Sequence, residues 1–237
     1  MKGIILAGGT GSRLYPITKV INKHLLLVYN KPMIYYPLET LAKAGVKDVI
    51  IVSGKEHILQ FQSLLSGNGD FKNINFAYAV QKEAGGIAQA LGVCKEFVGE
   101  EKIVAMLGDN VIIDDIKAAV SGFESGKIAA EVFLKSTKEP SKYTIAKIVS
   151  DKMVGLEDKP FSPKSDLALS GLYMFDSSVW RVISQIRPSV KGELEIIDVI
   201  TYFLKNNKLE YKILERNWFD IDTFRDLLAA SNFFAGK

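Results

Sequence analysis

The chain has 237 residues, of which 48% are hydrophobic and 24% are charged, and this composition is typical of a globular protein rather than a disordered or low-complexity one. Its 30 basic and 27 acidic residues leave a net charge of only +3, and the charges are well mixed, so we expect no nucleic-acid partner. Since no apolar stretch approaches the roughly 18 to 20 residues of a membrane span, we also expect no membrane association.

Strands and helices are predicted to alternate through the first half of the chain. Nearly continuous apolar runs, typical of buried strands, occupy residues 4–6, 49–52, 74–79 and 103–107. Apolar residues at helical spacing predict helices over residues 33–44, 57–65 and 86–97. Strand and helix in alternation indicate right-handed crossovers and a mostly parallel sheet.

The second half of the chain has a different pattern. Strand-like runs with little helix between them occupy residues 128–134, 144–149 and 168–175, and helices are predicted over residues 178–186, 195–204 and 223–234. We therefore expect an α/β fold with a Rossmann-like mixed, mostly parallel sheet, flanked by helices and extended by an antiparallel addition. The length of the chain favours a single domain, residues 1–237, over two small ones.

A glycine-rich loop, residues 7–14, follows the first predicted strand. Gly8, Gly9 and Gly11 free the backbone, so that several N–H groups can point to one place and bind phosphate oxygens. Arg13 adds a fork of guanidinium donors. A tight turn that needs positive φ angles is the alternative interpretation.

Two familiar nucleotide-binding motifs do not fit this loop. The dinucleotide pattern G-x-G-x-x-G begins at Gly9 but meets Leu14 where its third glycine belongs, and the next strand ends in Val-Ser-Gly, residues 52–54, without an acidic residue. The Gly-Lys-Ser/Thr of a Walker A motif is absent as well. A nicotinamide enzyme and a P-loop NTPase are therefore disfavoured.

Residues 8–19 read Gly-Gly-Thr-Gly-Ser-Arg-Leu-Tyr-Pro-Ile-Thr-Lys and resemble the signature G-G-x-G-[ST]-R-L-x-P-x-T of sugar-1-phosphate nucleotidylyltransferases. Residues 22–26 and 31–38 are similar to the glucose-1-phosphate thymidylyltransferase branch of that family. The resemblance continues to the last predicted helix. It implies that residues 1–125 form a nucleotide-binding part and residues 126–237 a sugar-binding part.

On the nucleotide side, the resemblance implies that the glycine loop and Arg13 hold the triphosphate and that Lys23 contacts a phosphate. A solvated surface lysine is the alternative for Lys23. Residues 81–90 match Q-x-x-x-x-G-[LI]-A-Q-A, which implies that Gln81 and the backbone of Gly86 bind the pyrimidine edge; a glycine-capped helix start is the alternative. The implied nucleotide-binding residues are Leu6, Gly8, Gly9, Thr10, Gly11, Ser12, Gln81 and Gly86.

On the sugar side, a tyrosine, an E-x-K-P element and a G-L-Y element are matched from residue 143 onward. The resemblance implies that Glu157 accepts hydrogen bonds from sugar hydroxyls and that Lys159, with Arg13 and Lys23, carries catalysis by neutralising phosphate charge. A charged turn is the alternative for residues 157–159. The implied sugar-binding residues are Gly108, Tyr143, Glu157, Gly171, Tyr173 and Lys191.

Two remote aspartates are the candidate metal ligands. Asp109 follows a predicted buried strand, and Asp220 lies in a run that resembles W-x-D-x-G-T. Mg²⁺ prefers one or two carboxylates together with substrate phosphates, and the resemblance implies Mg²⁺ as the cofactor here. Both aspartates are expected just past strands, and they can share one ion only if the fold brings those strand ends together. Alternatively, Asp109 caps a helix that begins near Asp114.

The chain departs from the family pattern at four positions. Leu27 replaces a proline, Thr144 a glycine and Lys191 an arginine. Asp222 replaces the glycine of W-x-D-x-G-T, where it either adds a carboxylate near the metal or caps the last helix with Thr223. These departures bear on the choice of sugar more than on the chemistry.

The resemblance implies transfer of a nucleoside monophosphate from dTTP to α-D-glucose 1-phosphate, with these small molecules as partners. Another donor such as UTP, another sugar 1-phosphate, and a non-catalytic regulator that binds sugar nucleotides are the alternatives. Association into a homo-oligomer is a further expectation from the family. The single cysteine, Cys94, cannot form an internal disulfide and favours a cytoplasmic location.

Overall fold

Thirteen strands and eight helices form within residues 1–67 and 69–236, which the computed structural model describes. The strands are β1 (Lys2–Leu6), β2 (Leu27–Val28), β3 (Lys31–Pro32), β4 (Asp48–Gly54), β5 (Asn75–Gln81), β6 (Ile103–Leu107), β7 (Asn110–Ile112), β8 (Ala130–Ser136), β9 (Thr144–Val149), β10 (Lys152–Asp158), β11 (Leu167–Phe175), β12 (Leu209–Ile213) and β13 (Trp218–Asp220). The helices are α1 (Tyr35–Lys43), α2 (Ile58–Leu65), α3 (Ile87–Gly92), α4 (Lys95–Val98), α5 (Lys117–Ser125), α6 (Ser178–Gln185), α7 (Ile196–Lys205) and α8 (Phe224–Ala235). Short 3₁₀ turns at Ser12–Leu14, Ile17–Lys19 and Lys23–Leu25 lie between β1 and β2.

The first half of the chain builds the parallel part of the main sheet. Strands β5, β4, β1 and β6 lie side by side in this order, and all three pairs are parallel. β1 and β6 are apolar along nearly their whole length because helices cover both faces of the sheet. This is the arrangement that the apolar runs predict.

The second half extends the same sheet. β11 pairs antiparallel with β6 and β9, β9 pairs antiparallel with β10, and β8 pairs antiparallel with β11. β12 then pairs parallel with β8. The predicted fold class, a mixed α/β sheet with an antiparallel addition, is confirmed.

Three clusters of buried side chains hold the layers together. On one face of the sheet, α3, α6 and α7 pack over β1, β6 and β11; on the other face, α1, α2 and α5 pack over the same strands. The third cluster is smaller and lies where α8 meets the paired strands β7 and β13, with Val111, Ile221 and Ala230 at its centre. The last helix therefore fixes the position of β13 relative to the main sheet.

Several elements differ from the prediction. The helix predicted over residues 86–97 is divided into α3 and α4 after Gly92, a residue of low helix propensity. β7 and β13 have three residues each, which is too short for a periodic pattern. β10 and β12 were not predicted either, because β10 has one buried residue, Met153, and β12 has none, so neither forms an apolar run.

The helix after Asp109 begins at Lys117 rather than near Asp114, and Asp109 does not cap it. The backbone N–H of Lys117 donates instead to Asp115 Oδ1 at 2.9 Å. None of the helices in the described ranges is long and apolar enough to cross a membrane.

The buried thiol of Cys94 gives a test of the packing. Its side chain is 0% exposed, and burial raises the pKa of the thiol to about 12. Because the thiolate is the reactive form, we expect no reaction with a chromogenic disulfide reagent at about pH 8 in the native state, and one thiol per chain after denaturation. Rapid reaction in the native state would contradict this packing.

Candidate active site

The candidate site lies at the carboxyl ends of β1 and β6, which are side by side in the sheet. Leu6 pairs with Leu107, and the backbone N–H of Gly108 donates to the carbonyl of Leu6 at 2.9 Å. The glycine-rich loop and the loop that carries Asp109 therefore begin next to each other. In open α/β sheets, ligands bind at this edge.

The glycine-rich loop presents a row of free N–H groups. The backbone N–H groups of residues 8–13 form no hydrogen bond with another described residue. Gly9 and Gly11 have φ angles of +92° and +58°, which bend the loop back on itself. Thr18 Oγ1 donates to the Gly11 carbonyl at 2.7 Å and holds this bend. Such a loop can surround the oxygens of a phosphate chain.

Gln81, at the end of β5, borders the same loop. Its Nε2 donates to the Gly86 carbonyl at 3.2 Å and to Gln89 Oε1 at 2.9 Å. Its Oε1 faces Gly8, where an added Cβ would come within 2.9 Å of it. The structure thus brings together Gly8, Gln81 and Gly86, three of the predicted nucleotide-binding residues.

Lys23 lies underneath the loop rather than on the surface. Its side chain is 8% exposed, and its Nζ lies 2.5 Å from Asp109 Oδ2 and 3.0 Å from Asp222 Oδ1. Burial alone would lower the pKa of Lys23, but the two carboxylates raise it above its usual range, so the ammonium keeps its charge. The interpretation of Lys23 as a solvated surface residue is therefore wrong.

Asn110 connects the two predicted metal ligands. Its Nδ2 donates to Asp109 Oδ1 at 2.9 Å and to Asp220 Oδ1 at 3.1 Å. Its Oδ1 accepts from the Gly171 N–H at 3.1 Å and from Trp218 Nε1 at 2.6 Å. The amide is 1% exposed and uses both of its donors and both of its acceptor sites. Asn110 also pairs with Asp220 across β7 and β13.

The two carboxylates have different protonation equilibria. Burial would raise the pKa of Asp109, but the Lys23 ammonium and the amide of Asn110 bring it below its ordinary value. Burial, together with repulsion from Asp109 and Asp222, raises the pKa of Asp220 to about 8. Asp109 is therefore ionised at neutral pH, whereas for Asp220 the nearby Lys23 ammonium offsets only part of the cost of charging a buried carboxyl group.

This donor set fits a divalent cation. No lysine or arginine in the described ranges forms an ion pair with Asp220, although Asp220 accepts a hydrogen bond from the same Asn110 amide as Asp109, which is paired with Lys23. Within those ranges no group of three or more His, Cys, Asp or Glu side chains has the arrangement of a metal centre. A pair of carboxylates beside free N–H groups suits Mg²⁺, which completes its shell with water and phosphate oxygens.

The expectation that Asp220 lies past a strand is wrong, since it is the last residue of β13.

Four of the predicted sugar-binding residues lie close to this centre. Gly171 binds Asn110 through its N–H and has no room for a side chain, since a Cβ would lie 2.7 Å from Asn110 Cγ. Tyr173 follows on β11, and Gly108 precedes Asp109. The Tyr143 ring packs 5.1 Å from the Trp218 ring, and burial and the Asp220 carboxylate raise the pKa of Tyr143 to about 12. Its hydroxyl is therefore a donor at neutral pH.

The other three predicted residues of the sugar side, Glu157, Lys159 and Lys191, form no hydrogen bond or ion pair with Asp109 or Asp220. Glu157 Oε1 pairs with Lys147 Nζ at 2.5 Å on the β9–β10 hairpin. The backbone N–H of Lys159 donates to the Tyr143 carbonyl at 3.0 Å, but its exposed side chain forms no ion pair with a described residue. Lys191 lies in an exposed loop, where its N–H donates to Ser189 Oγ at 3.3 Å.

The sequence does not predict a role for three polar residues of the site: Asn110, Asn22 and His24. For Asn110, the only signal in the sequence is its position next to the candidate ligand Asp109. Asn22 Oδ1 accepts from the backbone N–H of His24 at 2.9 Å and lies 2.7 Å from its Nδ1. Burial lowers the pKa of His24 to about 4, so this ring is neutral and packs beneath Gly108 as a structural element.

Sequence comparison finds relatives along nearly the whole chain. The family model described as "Nucleotidyl transferase" matches residues 2–237. A protein of Neisseria meningitidis named glucose-1-phosphate thymidylyltransferase is 39% identical over 98% of this chain and 82% of its own length. A protein of the same name from Mycolicibacterium smegmatis is 38% identical with the same coverage.

Solved structures have the same fold. A crystal structure from Bacillus anthracis, described as a glucose-1-phosphate thymidylyltransferase in complex with sucrose, is 46% identical, with a TM-score of 0.93 over 98% of this chain and 94% of that one. A UDP-glucose pyrophosphorylase complexed with UDP-glucose has a TM-score of 0.90 over 99% of this chain and 98% of that one. Its identity of 22% supports the shared fold alone.

The four hydrogen bonds of Asn110 predict a large effect of its removal. In Asn110→Ala, the N–H groups of Gly171 and Trp218 lose their acceptor and the two carboxylates lose their shared donor, so we expect a loss of about 2–4 kcal/mol in the free energy of unfolding. Urea denaturation measures it. The control, Asn75→Ala, removes an exposed hydrogen bond to Asp48 and should cost less than about 1 kcal/mol. Equal effects of the two substitutions would contradict the arrangement.

Proposed function

The chain belongs to the nucleotidyl transferase family, and on this basis we propose that it transfers the thymidylyl group of dTTP to α-D-glucose 1-phosphate, forming dTDP-glucose and pyrophosphate. The observation that carries the proposal is the shared edge of β1 and β6. There a row of free N–H groups, the Lys23 ammonium and two carboxylates face the same space. The N–H groups and the ammonium can bind a triphosphate, and the carboxylates can bind the divalent cation that accompanies it.

The choice of dTTP follows the names of the relatives. Proteins that are 38–39% identical along 98% of this chain are named glucose-1-phosphate thymidylyltransferase. The UDP-glucose pyrophosphorylase is only 22% identical, so UTP remains the second donor to be tested. Gln81 would bind the base through Oε1 as an acceptor, and its Nε2 would have to exchange Gly86 or Gln89 to donate to the pyrimidine edge.

The proposed reaction is an in-line displacement at the α-phosphorus. An oxygen of the sugar phosphate forms a new bond to the α-phosphorus, the bond to the bridging oxygen of the β-phosphate breaks, and pyrophosphate leaves with that electron pair. The attacking group is already an anion at neutral pH, so no general base is needed. Catalysis then consists of positioning and charge stabilisation, which suits glycine amides, Arg13 and Lys23.

We propose that Asp109 and Asp220 hold Mg²⁺ when the substrates are bound. The ion would supply positive charge to phosphate oxygens, and it would give Asp220 a direct cationic partner, which no lysine or arginine in the described ranges provides. Asn110 keeps both carboxylates at one point before any ion arrives. Lys23, already bound to Asp109, is in position to share its charge with the triphosphate.

The sugar side completes the proposed site. Tyr143, Gly171 and Tyr173 lie next to the aspartates, whereas Glu157 has to exchange Lys147 for sugar hydroxyls when the substrate binds. Lys159, anchored through its backbone to Tyr143, would neutralise the sugar phosphate. We therefore assign nucleotide binding to residues 1–125 and sugar binding to residues 126–237 of one domain. A cytoplasmic location and homo-oligomer formation stay predictions.

Pyrophosphate release tests the function directly. The protein is mixed with Mg²⁺ and every pair formed from dTTP, UTP or CTP and the 1-phosphates of glucose, galactose and glucosamine. We expect the highest kcat/KM for dTTP with glucose 1-phosphate. Preference for UTP would change the donor, and binding of nucleotide without turnover for any pair would indicate a non-catalytic regulator.

Two substitutions test the proposed catalytic groups. Asp109→Asn and Arg13→Ala should each lower kcat/KM by about 100- to 1,000-fold, because the first removes a carboxylate that would hold Mg²⁺ and the second removes a positive charge that would face the phosphates. Both variants should remain folded, since Lys23 keeps Asp222 as a partner in the first and Arg13 is exposed. The control is Arg181→Ala, an exposed arginine on α6. Wild-type turnover in either variant would remove that residue from the active site.

A further inference from the structure

The carboxylate of Asp222 binds two cations that the proposed function assigns to phosphate. Its Oδ1 lies 3.0 Å from the Nζ of Lys23, and its Oδ2 accepts a hydrogen bond from Nη1 of Arg13. Asp222 thus connects a buried lysine to an arginine whose side chain is 61% exposed. The signature W-x-D-x-G-T that this segment resembles has glycine at this position, and glycine has no carboxylate that could pair with Lys23 and Arg13.

Capping of α8 does not explain this side chain. Thr223 is the N-cap of α8, and its hydroxyl accepts from the backbone N–H of Asp226, while the Asp226 carboxylate accepts from the backbone N–H groups of Thr223 and Asp222. The capping box therefore holds the backbone of Asp222 and leaves its carboxylate uninvolved. The alternative that Asp222 caps the last helix is wrong.

The Asp222 carboxylate resembles a phosphate in the groups that it binds. Guanidinium and ammonium groups donate to carboxylate and phosphate oxygens with the same charge-assisted hydrogen bonds. In the free protein, Lys23 is already balanced by Asp109 and Asp222, and Arg13 by Asp222. A triphosphate bound against the free N–H groups of residues 8–13 would need the same donors. The Asp222 side chain is 39% exposed, so it has space to turn away.

We propose that Asp222 is an affinity-determining residue that occupies the phosphate-binding donors of Arg13 and Lys23 in the free protein and has to be displaced by the nucleoside triphosphate. This inference rests on the proposed function. Displacement breaks two ion pairs, and the displaced carboxylate then repels the phosphates beside it. Asp222 therefore weakens nucleotide binding, although both of its contacts stabilise the free protein.

Calorimetric titration without sugar phosphate tests the inference by binding alone. The probes are dTTP and inorganic tripolyphosphate, each with Mg²⁺, and the variants are Asp222→Asn and Asp222→Gly. We expect the Kd of both probes to fall about tenfold in both variants, which corresponds to about 1.4 kcal/mol. Tripolyphosphate has no base, so a parallel effect on both probes places the change at the phosphates.

Two further variants serve as controls. Asp222→Glu keeps the charge within reach of Arg13 and should bind like the wild type. Glu100→Gln removes the same unit of charge just before β6, at the opposite edge of the sheet, and should leave both Kd values unchanged. Thermal melting checks that each variant is folded. In steady state, the KM for dTTP should fall in Asp222→Asn while the KM for the sugar phosphate stays constant.

Unchanged or weaker binding by both variants would overturn the inference, because Asp222 would then be inert or would position Arg13 and Lys23 for the phosphates. Failure of the wild type and of all variants to bind dTTP would overturn the proposed function as well. Binding of dTTP by the variants but not by the wild type would support the inference in its strongest form. The two failures are thus distinguishable.

Discussion

The buried amide of Asn110 holds two carboxylates from remote parts of the chain at one point. Asp109 and Asp220 are 111 positions apart, counted along the sequence, and they accept hydrogen bonds from the same Nδ2 atom. Two ionised carboxylates this close repel each other, and the raised pKa of Asp220 reflects burial first and this repulsion second. The remaining hydrogen bonds of Asn110, from Gly171 and Trp218, fix the amide itself. The site is therefore built before any ligand enters.

Charge balance explains the rest of the site. Lys23 lies between Asp109 and Asp222, and these two carboxylates keep its ammonium charged beneath the glycine-rich loop, where the side chain is only 8% exposed. The loop itself contributes partial positive charge from N–H groups that no described residue accepts. Residues proposed for the nucleotide side and for the sugar side thus meet where parallel strands end and the antiparallel addition begins, at β6 and β11.

The sequence predicts the parts of this structure that local patterns encode. Buried parallel strands are encoded by continuous apolar runs, and a loop that needs positive φ angles is encoded by glycines. The sequence therefore predicts β1, β6 and the loop of residues 7–14. The pairing of β7 with β13 is not, because three-residue strands have no periodicity and their contact depends on α8. The ion pairs of Glu157 with Lys147 and of Asp222 with Arg13 join residues whose proximity only the folded sheet determines.

The proposed site requires one divalent cation held by both aspartates, and a crystal structure with Mn²⁺ and a non-hydrolysable dTTP analogue tests this most directly. The anomalous signal of manganese locates the ion independently of the surrounding atoms. We predict one ion bound to carboxylate oxygens of Asp109 and Asp220 and to phosphate oxygens of the nucleotide, with Asn110 unmoved. An ion bound by the phosphates alone, or with either aspartate turned away from it, would contradict the account.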